Sequence, residues 1–149
     1  MIAQAAQLAP AFSLPACDGS VVSLDSLRGH KVLLWFFPEA ETPGCTVEGL
    51  GFRDHREYFD GLDIVVIGVS FNTPEENAAF ARKHGFNFAL LSDSDRSAAI
   101  AYGACEDRKA RYADRVSFLI DENGMIERVY SNVDPRDHAA RILAELIDE

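Results

Sequence analysis

The chain has 149 residues, of which 48% are hydrophobic and 26% are charged, and Lys+Arg 14 against Asp+Glu 24 gives a net charge of −10. This length and composition predict a single globular domain over residues 1–149. The acidic balance argues against binding to nucleic acid or to an anionic membrane surface, because both attract positive charge. No apolar stretch has the length of a membrane-spanning helix, and the first ten residues lack the Lys and Arg of a secretory signal, so we expect a cytoplasmic protein.

The three cysteines, Cys17, Cys45 and Cys105, are odd in number and irregularly spaced. This pattern does not predict a disulfide framework, and in a reducing compartment we expect free thiols. Because the sequence has neither a Cys-x-x-Cys pair nor a Cys/His cluster, we expect no metal site and no cofactor.

The sequence predicts a β-hairpin followed by strands that alternate with helices. Asp18-Gly19, a frequent turn dipeptide, separates short apolar runs at 11–14 and 21–24 and predicts the hairpin. Apolar runs and helix signals then predict, in chain order, a strand at 31–37, a helix at 45–60, a strand at 62–70, a helix from the capping residue Thr73 to Gly85, a strand at 88–91 and a helix at 95–102 capped by Asp93 or Ser94.

The last third of the chain predicts a second hairpin and a final helix. Asn-Gly at 123–124 is a strong hairpin signal and separates apolar runs at 115–121 and 125–131. Asp-Pro at 134–135 predicts the start of an amphipathic helix. Strands separated by helices require crossover connections, so the complete order predicts an α/β fold, a thioredoxin-like three-layer sandwich with an N-terminal β-hairpin extension.

The candidate site is the junction between the first buried strand and the first long helix, at residues 38–48. Ligands of open α/β sheets gather at the carboxyl ends of the strands. Cys45 is predicted in the first turn of the helix, where free backbone N–H groups and the positive end of the helix dipole favour the thiolate, the nucleophilic form. Thr42 directs a hydroxyl to the same place, and Pro38 and Pro43 stiffen the loop.

The spacing Pro-x-x-x-Thr-x-x-Cys of Pro38, Thr42 and Cys45 resembles the active-site signature of the peroxiredoxins. Thr-Pro-Gly-Cys-Thr at 42–46, with Glu48 and Phe-Arg-Asp at 52–54, resembles the bacterioferritin-comigratory or peroxiredoxin Q subgroup, and the similarity extends over nearly the whole chain. The resemblance implies a thioredoxin-like fold and thiol-dependent reduction of hydrogen peroxide and organic hydroperoxides.

The resemblance also implies a role for individual residues. Cys45 is the peroxidatic cysteine, whose thiolate becomes sulfenic acid, and Thr42 positions the peroxide. Arg115, at the start of the sequence Arg-x-Ser-Phe-Leu-Ile-Asp, stabilises the thiolate and the charge that develops on the oxygens, and Pro38 shields the site. Glu48 either accepts a bond from an arginine near the pocket or is an ordinary carboxylate of the first helical turn.

Many members of the subgroup have a resolving cysteine five residues after the peroxidatic one, and that position here is Leu50. Two routes then remain for reducing the sulfenic acid. We favour an external thiol from thioredoxin, glutaredoxin or a low-molecular-weight thiol; the other candidate is Cys105 as a resolving cysteine, which requires the two Cα atoms to come within about 7 Å. The chain is expected to be a monomer or a homodimer.

Two other functions deserve comparison with a peroxidase. A dithiol oxidoreductase of the thioredoxin type needs a second cysteine at the position of Glu48, and the sequence therefore disfavours it. The remaining alternative is a thioredoxin-fold redox sensor or binding protein that uses Cys45 as a signal without turnover. Steady-state consumption of peroxide with a recycling thiol separates the enzyme from the sensor.

Overall fold

The computed structural model describes residues 2–147. The strands are β1 (Ser13–Pro15), β2 (Val21–Ser23), β3 (Lys31–Phe36), β4 (Ile64–Ser70), β5 (Ala89–Ser92), β6 (Val116–Ile120) and β7 (Ile126–Tyr130). The α-helices are α1 (Pro43–Asp54), α2 (Arg56–Gly61), α3 (Pro74–His84), α4 (Ser97–Tyr102) and α5 (His138–Ile147), and a short 3-10 helix, Asp25–Leu27, follows β2.

The main sheet has the strand order β5-β4-β3-β6-β7, with β3 at its centre. β3 runs parallel to β4 and β4 parallel to β5, as the predicted crossover connections require, whereas β6 and β7 are antiparallel additions on the other side of β3. β1 and β2 form a separate antiparallel pair, which confirms the N-terminal hairpin.

Helices cover both faces of the main sheet. Alternate residues of β3 point to opposite faces, so Val32, Leu34 and Phe36 belong to one hydrophobic cluster and Leu33 and Trp35 to the other. Besides residues of the other strands, the first cluster includes residues of α4, of the segment after α4 and of the N-terminal segment, and the second includes residues of α1, α2, α3 and α5. This arrangement confirms the α/β thioredoxin-like three-layer sandwich.

The ends of α3 follow the local sequence signals. Thr73 accepts a hydrogen bond from the backbone N–H of Glu76 at 3.1 Å, and the Glu76 carboxylate accepts one from the Thr73 N–H at 2.9 Å, which completes a capping box. Gly85 ends the helix in the left-handed region, at φ +64°. Both ends were predicted from the sequence.

Three of the predicted helices differ in their boundaries from the prediction. The helix predicted over 45–60 begins at Pro43 and is divided into α1 and α2 at His55, which leaves helical geometry at φ −103° and ψ 12°. The final helix begins at His138 rather than after Asp134, because the Asp134 carboxylate accepts from the backbone and side chain of Arg136 in a turn. α4 begins at Ser97 rather than at residue 95.

Asp93 caps α4 from a distance of several residues. Its buried carboxylate accepts hydrogen bonds from the backbone N–H groups of Ala98 at 3.1 Å and Ala99 at 2.8 Å, while Arg96 takes the left-handed conformation at φ +65°. Of the two predicted caps, Asp93 is therefore the one whose side chain bonds to the first turn.

Two glycines within α1 differ in their surroundings. A Cβ atom at Gly49 would lie 2.4 Å from Cζ of Phe86, whose ring packs directly on the helix backbone. A Cβ atom at Gly51 would lie 3.5 Å from Cβ of Ala139 in α5, an ordinary van der Waals contact. Phe86, in the segment after α3, thus packs closely against α1 at Gly49.

We expect Gly49→Ala to lower the free energy of unfolding by about 1–3 kcal/mol, because displacing the Phe86 ring outweighs a gain of about 1 kcal/mol in helix propensity. Gly51→Ala is the matched control, and it should raise the free energy of unfolding by up to about 1 kcal/mol. Urea unfolding measures both variants. Equal effects at the two positions would contradict the role of the contact with Phe86.

Candidate active site

The site is built where β3 leads into α1, at the carboxyl end of the central strand. Thr42 is the N-cap of α1, with φ −82° and ψ 152°, and Cys45 is the third residue of the helix, with its thiol completely buried. The first backbone bond of the helix runs from the N–H of Thr46 to the carbonyl of Thr42 at 2.9 Å. The N–H groups before Thr46 therefore have no acceptor within the helix, and they place partial positive charge beside the Cys45 thiol.

The loop before α1 is fixed by its own hydrogen bonds. The Thr42 hydroxyl donates to the carbonyl of Glu39 at 2.7 Å, and the N–H of Ala40 donates to the side-chain carbonyl of Asn72 at 2.9 Å. Because the Thr42 hydroxyl donates its hydrogen bond to the Glu39 carbonyl, its oxygen remains free to accept a hydrogen bond. Pro38, at the start of this loop, is partly buried.

Arg115 reaches the site through the register of the main sheet. Phe36 at the end of β3 pairs with Val116 at the start of β6, so Arg115 lies beside the strand end from which the α1 loop departs. Its Nη1 donates to Oε1 of Glu48 at 2.6 Å. Burial lowers the pKa of Arg115, but the negative charges of Glu48 and of Cys45 more than offset this and raise it.

The guanidinium of Arg115 packs against the first turn of α1. A Cβ atom at Gly44 would lie 2.9 Å from Nη2 of Arg115, so only a residue without a side chain allows this approach. The ring of Pro135 closes the same corner, with its Cγ at 3.7 Å from that Cβ position. The guanidinium of Arg115 therefore lies against Gly44, the residue that precedes Cys45 in the chain.

Glu48 lies one turn after Cys45 on α1, and its side chain is completely buried. Burial raises the pKa of Glu48 to about 7, although the nearby Arg115 charge opposes the shift. Its second oxygen, Oε2, is buried without a hydrogen-bond partner among the described residues. The sequence left two interpretations of Glu48, and the structure shows that it accepts from the arginine.

The burial of Glu48 should make the stability of the protein depend on pH. The carboxyl has a pKa near 4.5 when unfolded and about 7 when folded, so between these values the folded state binds more protons and stability falls as the pH rises. This corresponds to a loss of up to about 3 kcal/mol between pH 4.5 and pH 8.

Glu48→Gln removes this titration, and the test is the difference in free energy of unfolding between wild type and variant at pH 5 and at pH 8. We expect the free energy of unfolding of the wild type, minus that of the variant, to decrease as the pH rises. Glu75→Gln, at an exposed carboxylate in the first turn of α3, is the surface control. A constant difference for Glu48→Gln would contradict the shifted pKa.

A buried pair on α5 and β6 was missed by sequence reasoning. Oγ of Ser117 and Nε2 of His138 lie 2.9 Å apart, and the His138 ring packs edge-on to Phe52 of α1 with 5.7 Å between ring centroids. Burial lowers the pKa of His138 to about 4, with Asp137 opposing and Arg115 adding to the shift, so the ring is neutral. The Asp-Pro signal at 134–135 predicted the start of this helix, but no local signal indicated the partner of His138.

The three cysteines are free, and Cys105 does not join the site. Cys45 belongs to the same hydrophobic cluster as Trp35 on one face of the main sheet, whereas Cys105 belongs to the cluster on the other face. Burial raises the pKa of the Cys105 thiol, and the charges of Asp93 and Asp114 raise it further. Cys17 is partly buried beside β1 and contacts the same cluster as Cys45.

The structure thus brings four of the residues identified in the sequence to one place and leaves the fifth apart. Thr42, Cys45 and Arg115 meet at the carboxyl end of β3, with Pro38 in the connecting loop, and Cys105 lies elsewhere. Within residues 2–147 no group of three or more His, Cys, Asp or Glu side chains is placed to hold a metal ion. In the same residues no helix is long and apolar enough to cross a membrane.

Comparisons of sequence and of structure with known proteins identify relatives of the same family. The model of the AhpC/TSA family matches residues 5–129. A protein of Coxiella burnetii named putative peroxiredoxin bcp is 38% identical over 151 residues, covering 98% of this chain and 100% of the relative. The crystal structure of peroxidoxin BcpB from Mycobacterium tuberculosis superposes with a TM-score of 0.89 at 30% identity, covering 97% of both chains.

A further structure bears on the chemistry of the relatives. The bacterioferritin comigratory protein of Xanthomonas campestris superposes with a TM-score of 0.85 at 29% identity, covering 92% of this chain and 90% of the other. That protein was solved as trapped intermediate and ligand complexes to study its alkyl peroxide reduction activity.

Proposed function

Because the chain belongs to the AhpC/TSA family, and within it to the peroxiredoxins of the bacterioferritin-comigratory and peroxiredoxin Q kind, we propose that Cys45 is its peroxidatic cysteine. The chain is a thiol-dependent peroxidase. We assign hydrogen peroxide and organic hydroperoxides as its substrates. The observation that supports the role of Cys45 most strongly is the Arg115 guanidinium held against the first turn of α1.

In the proposed reaction the Cys45 thiolate attacks the terminal oxygen of the hydroperoxide. A sulfur–oxygen bond forms, the oxygen–oxygen bond breaks, the sulfur is oxidised to sulfenic acid and the alkoxide or hydroxide leaves. The Thr42 oxygen, already turned into an acceptor, takes a hydrogen bond from the hydroperoxide O–H and orients it. Arg115 stabilises the charge in the transition state, and Pro38 limits access of water.

A thiol reductant returns the sulfenic acid to the thiol, and we propose that this thiol comes from outside the chain. Thioredoxin, glutaredoxin and low-molecular-weight thiols are the candidates. Three features support the proposal: position 50 is leucine, Cys105 lies in the cluster on the opposite face of the sheet, and the raised pKa of the Cys105 thiol leaves it a weak nucleophile at neutral pH.

Peptide mapping under non-reducing conditions tests this route. The reduced protein is treated with one equivalent of peroxide, with and without glutathione or thioredoxin. We expect mixed disulfides at Cys45 and, without a reductant, unpaired oxidised Cys45. A dominant Cys45–Cys105 peptide would reverse the assignment and make Cys105 the resolving cysteine.

The same protein preparation separates an enzyme from a sensor. Sustained consumption of hydroperoxide with a recycling thiol identifies turnover, and a single stoichiometric oxidation of Cys45 without recycling identifies a sensor.

We further propose a cytoplasmic location, which is consistent with the three free cysteines. Gel filtration distinguishes the monomer from the homodimer.

A further inference from the structure

Glu48 is more deeply buried than an anchor for Arg115 requires. Its side chain has no exposed surface, only Oε1 is engaged, and Oε2 points into the protein without a partner among the described residues. A buried carboxylate oxygen without a donor is unfavourable, because it has lost its hydrogen bonds to water. Protonation of the carboxyl removes the cost of burying its negative charge.

The charges around Glu48 do not balance unless one acid is neutral. Cys45 lies one helical turn earlier on the same face of α1, and Arg115 is the cation that faces both groups. His138, at the facing end of α5, is neutral because burial lowers its pKa to about 4. Two acids therefore face one guanidinium in a buried site, where repulsion between like charges disfavours two negative charges at once.

We propose that Glu48 stores the proton of the peroxidase reaction. Its carboxyl group accepts the proton that the Cys45 thiol loses, and returns it to the leaving oxygen. This inference rests on the proposed function of Cys45. The pKa of Glu48, raised to about 7, is consistent with both directions of transfer at neutral pH.

The steps balance. Before attack, the Cys45 thiolate is paired with Arg115 and Glu48 is protonated. Attack forms the sulfur–oxygen bond and breaks the oxygen–oxygen bond, giving neutral sulfenic acid and an alkoxide. The alkoxide takes the proton from Glu48 and leaves as the alcohol, and the Glu48 carboxylate becomes the anion paired with Arg115. A single negative charge faces the guanidinium throughout.

The test compares two reactions of Cys45 that differ in their leaving group. Alkylation by iodoacetamide releases iodide, which needs no proton, whereas tert-butyl hydroperoxide releases an alkoxide. Glu48→Gln keeps an oxygen acceptor for Nη1 of Arg115 but cannot carry the proton. We expect its alkylation rate constant to stay within about threefold of wild type and its oxidation rate constant to fall by about 10²-fold at pH 7.

A structural role would give a different result, because disturbing Arg115 weakens both reactions of the thiolate. An equal loss in both rate constants, or no loss in either, overturns the proposal. Glu75→Gln is the surface control and should change neither. If Cys45 of the wild type is alkylated but the protein does not consume hydroperoxide, the proposed peroxidase function itself is wrong, and with it the role of Glu48.

The wild-type protein provides a second test that needs no variant. Its ratio of the oxidation rate constant with tert-butyl hydroperoxide to the alkylation rate constant should fall as the pH rises through about 7, because Glu48 then loses the proton it would deliver. A ratio that stays constant from pH 6 to pH 9 contradicts the proposal.

Discussion

Replacing Cys45 with serine is expected to lower the rate constant for hydroperoxide reduction by at least about 10³-fold, because the reaction requires sulfur as the nucleophile and as the atom that is oxidised. A serine hydroxyl in the first turn of α1 is neither ionised at neutral pH nor able to take the oxygen. The measurement is consumption of tert-butyl hydroperoxide by the reduced protein in a single turnover.

Cys17→Ser is the matched control, because Cys17 is also a free thiol and contacts the same hydrophobic cluster as Cys45. It should retain the wild-type rate constant within about twofold. Cys105→Ser should behave likewise in a single turnover, and in steady state as well if the reductant is external. Full activity in Cys45→Ser would place the chemistry elsewhere in the chain.

The elements that the sequence predicts well are those set by neighbouring residues. The capping box of Thr73 and Glu76 and the left-handed Gly85 involve contacts within a few positions, and both are present as predicted. Gly124, in the predicted second hairpin, takes φ +85°, a conformation that the Asn-Gly signal anticipates. Local chemistry was sufficient in each of these cases.

The division of the first long helix depends on contacts that are distant in sequence. α1 is followed by His55, which is neither a proline nor a glycine, so no helix-breaking residue marks this boundary. α1 packs against α5, whereas α2 packs against β4, so the chain changes direction between two different neighbours. The helix over residues 45–60 was predicted from the length of the segment between two apolar runs, which contains no information about these partners, so one continuous helix was expected.

The candidate site shows the same limit. The motif places Thr42 and Cys45 together because they are three residues apart, but Arg115 joins them only through the pairing of β3 with β6. The orphaned oxygen of Glu48 and the contact between Ser117 and His138 depend on the packing of α1 and α5 over that sheet. The sequence motif identified Glu48 but not its burial, and it gave no indication of the contact between Ser117 and His138.

Replacing Arg115 with alanine is expected to lower the rate constant for hydroperoxide reduction by about 10²–10³-fold, the effect of removing a preorganised donor from a buried transition state. The guanidinium donates to Oε1 of Glu48 and faces Cys45, so its loss leaves the thiolate without a cation. Arg111→Ala removes an exposed positive charge from the segment before β6 and is the control. It should stay within about twofold of wild type.

Arg115→Lys separates the charge of this residue from its shape. The lysine ammonium is a compact charge and cannot present the planar fork that reaches Glu48 and the first turn of α1 together. We therefore expect a rate constant between those of wild type and Arg115→Ala, measured in the same single-turnover assay. If lysine restored the full wild-type rate, charge alone would be sufficient, and the close packing of the guanidinium on Gly44 would have no part in the chemistry.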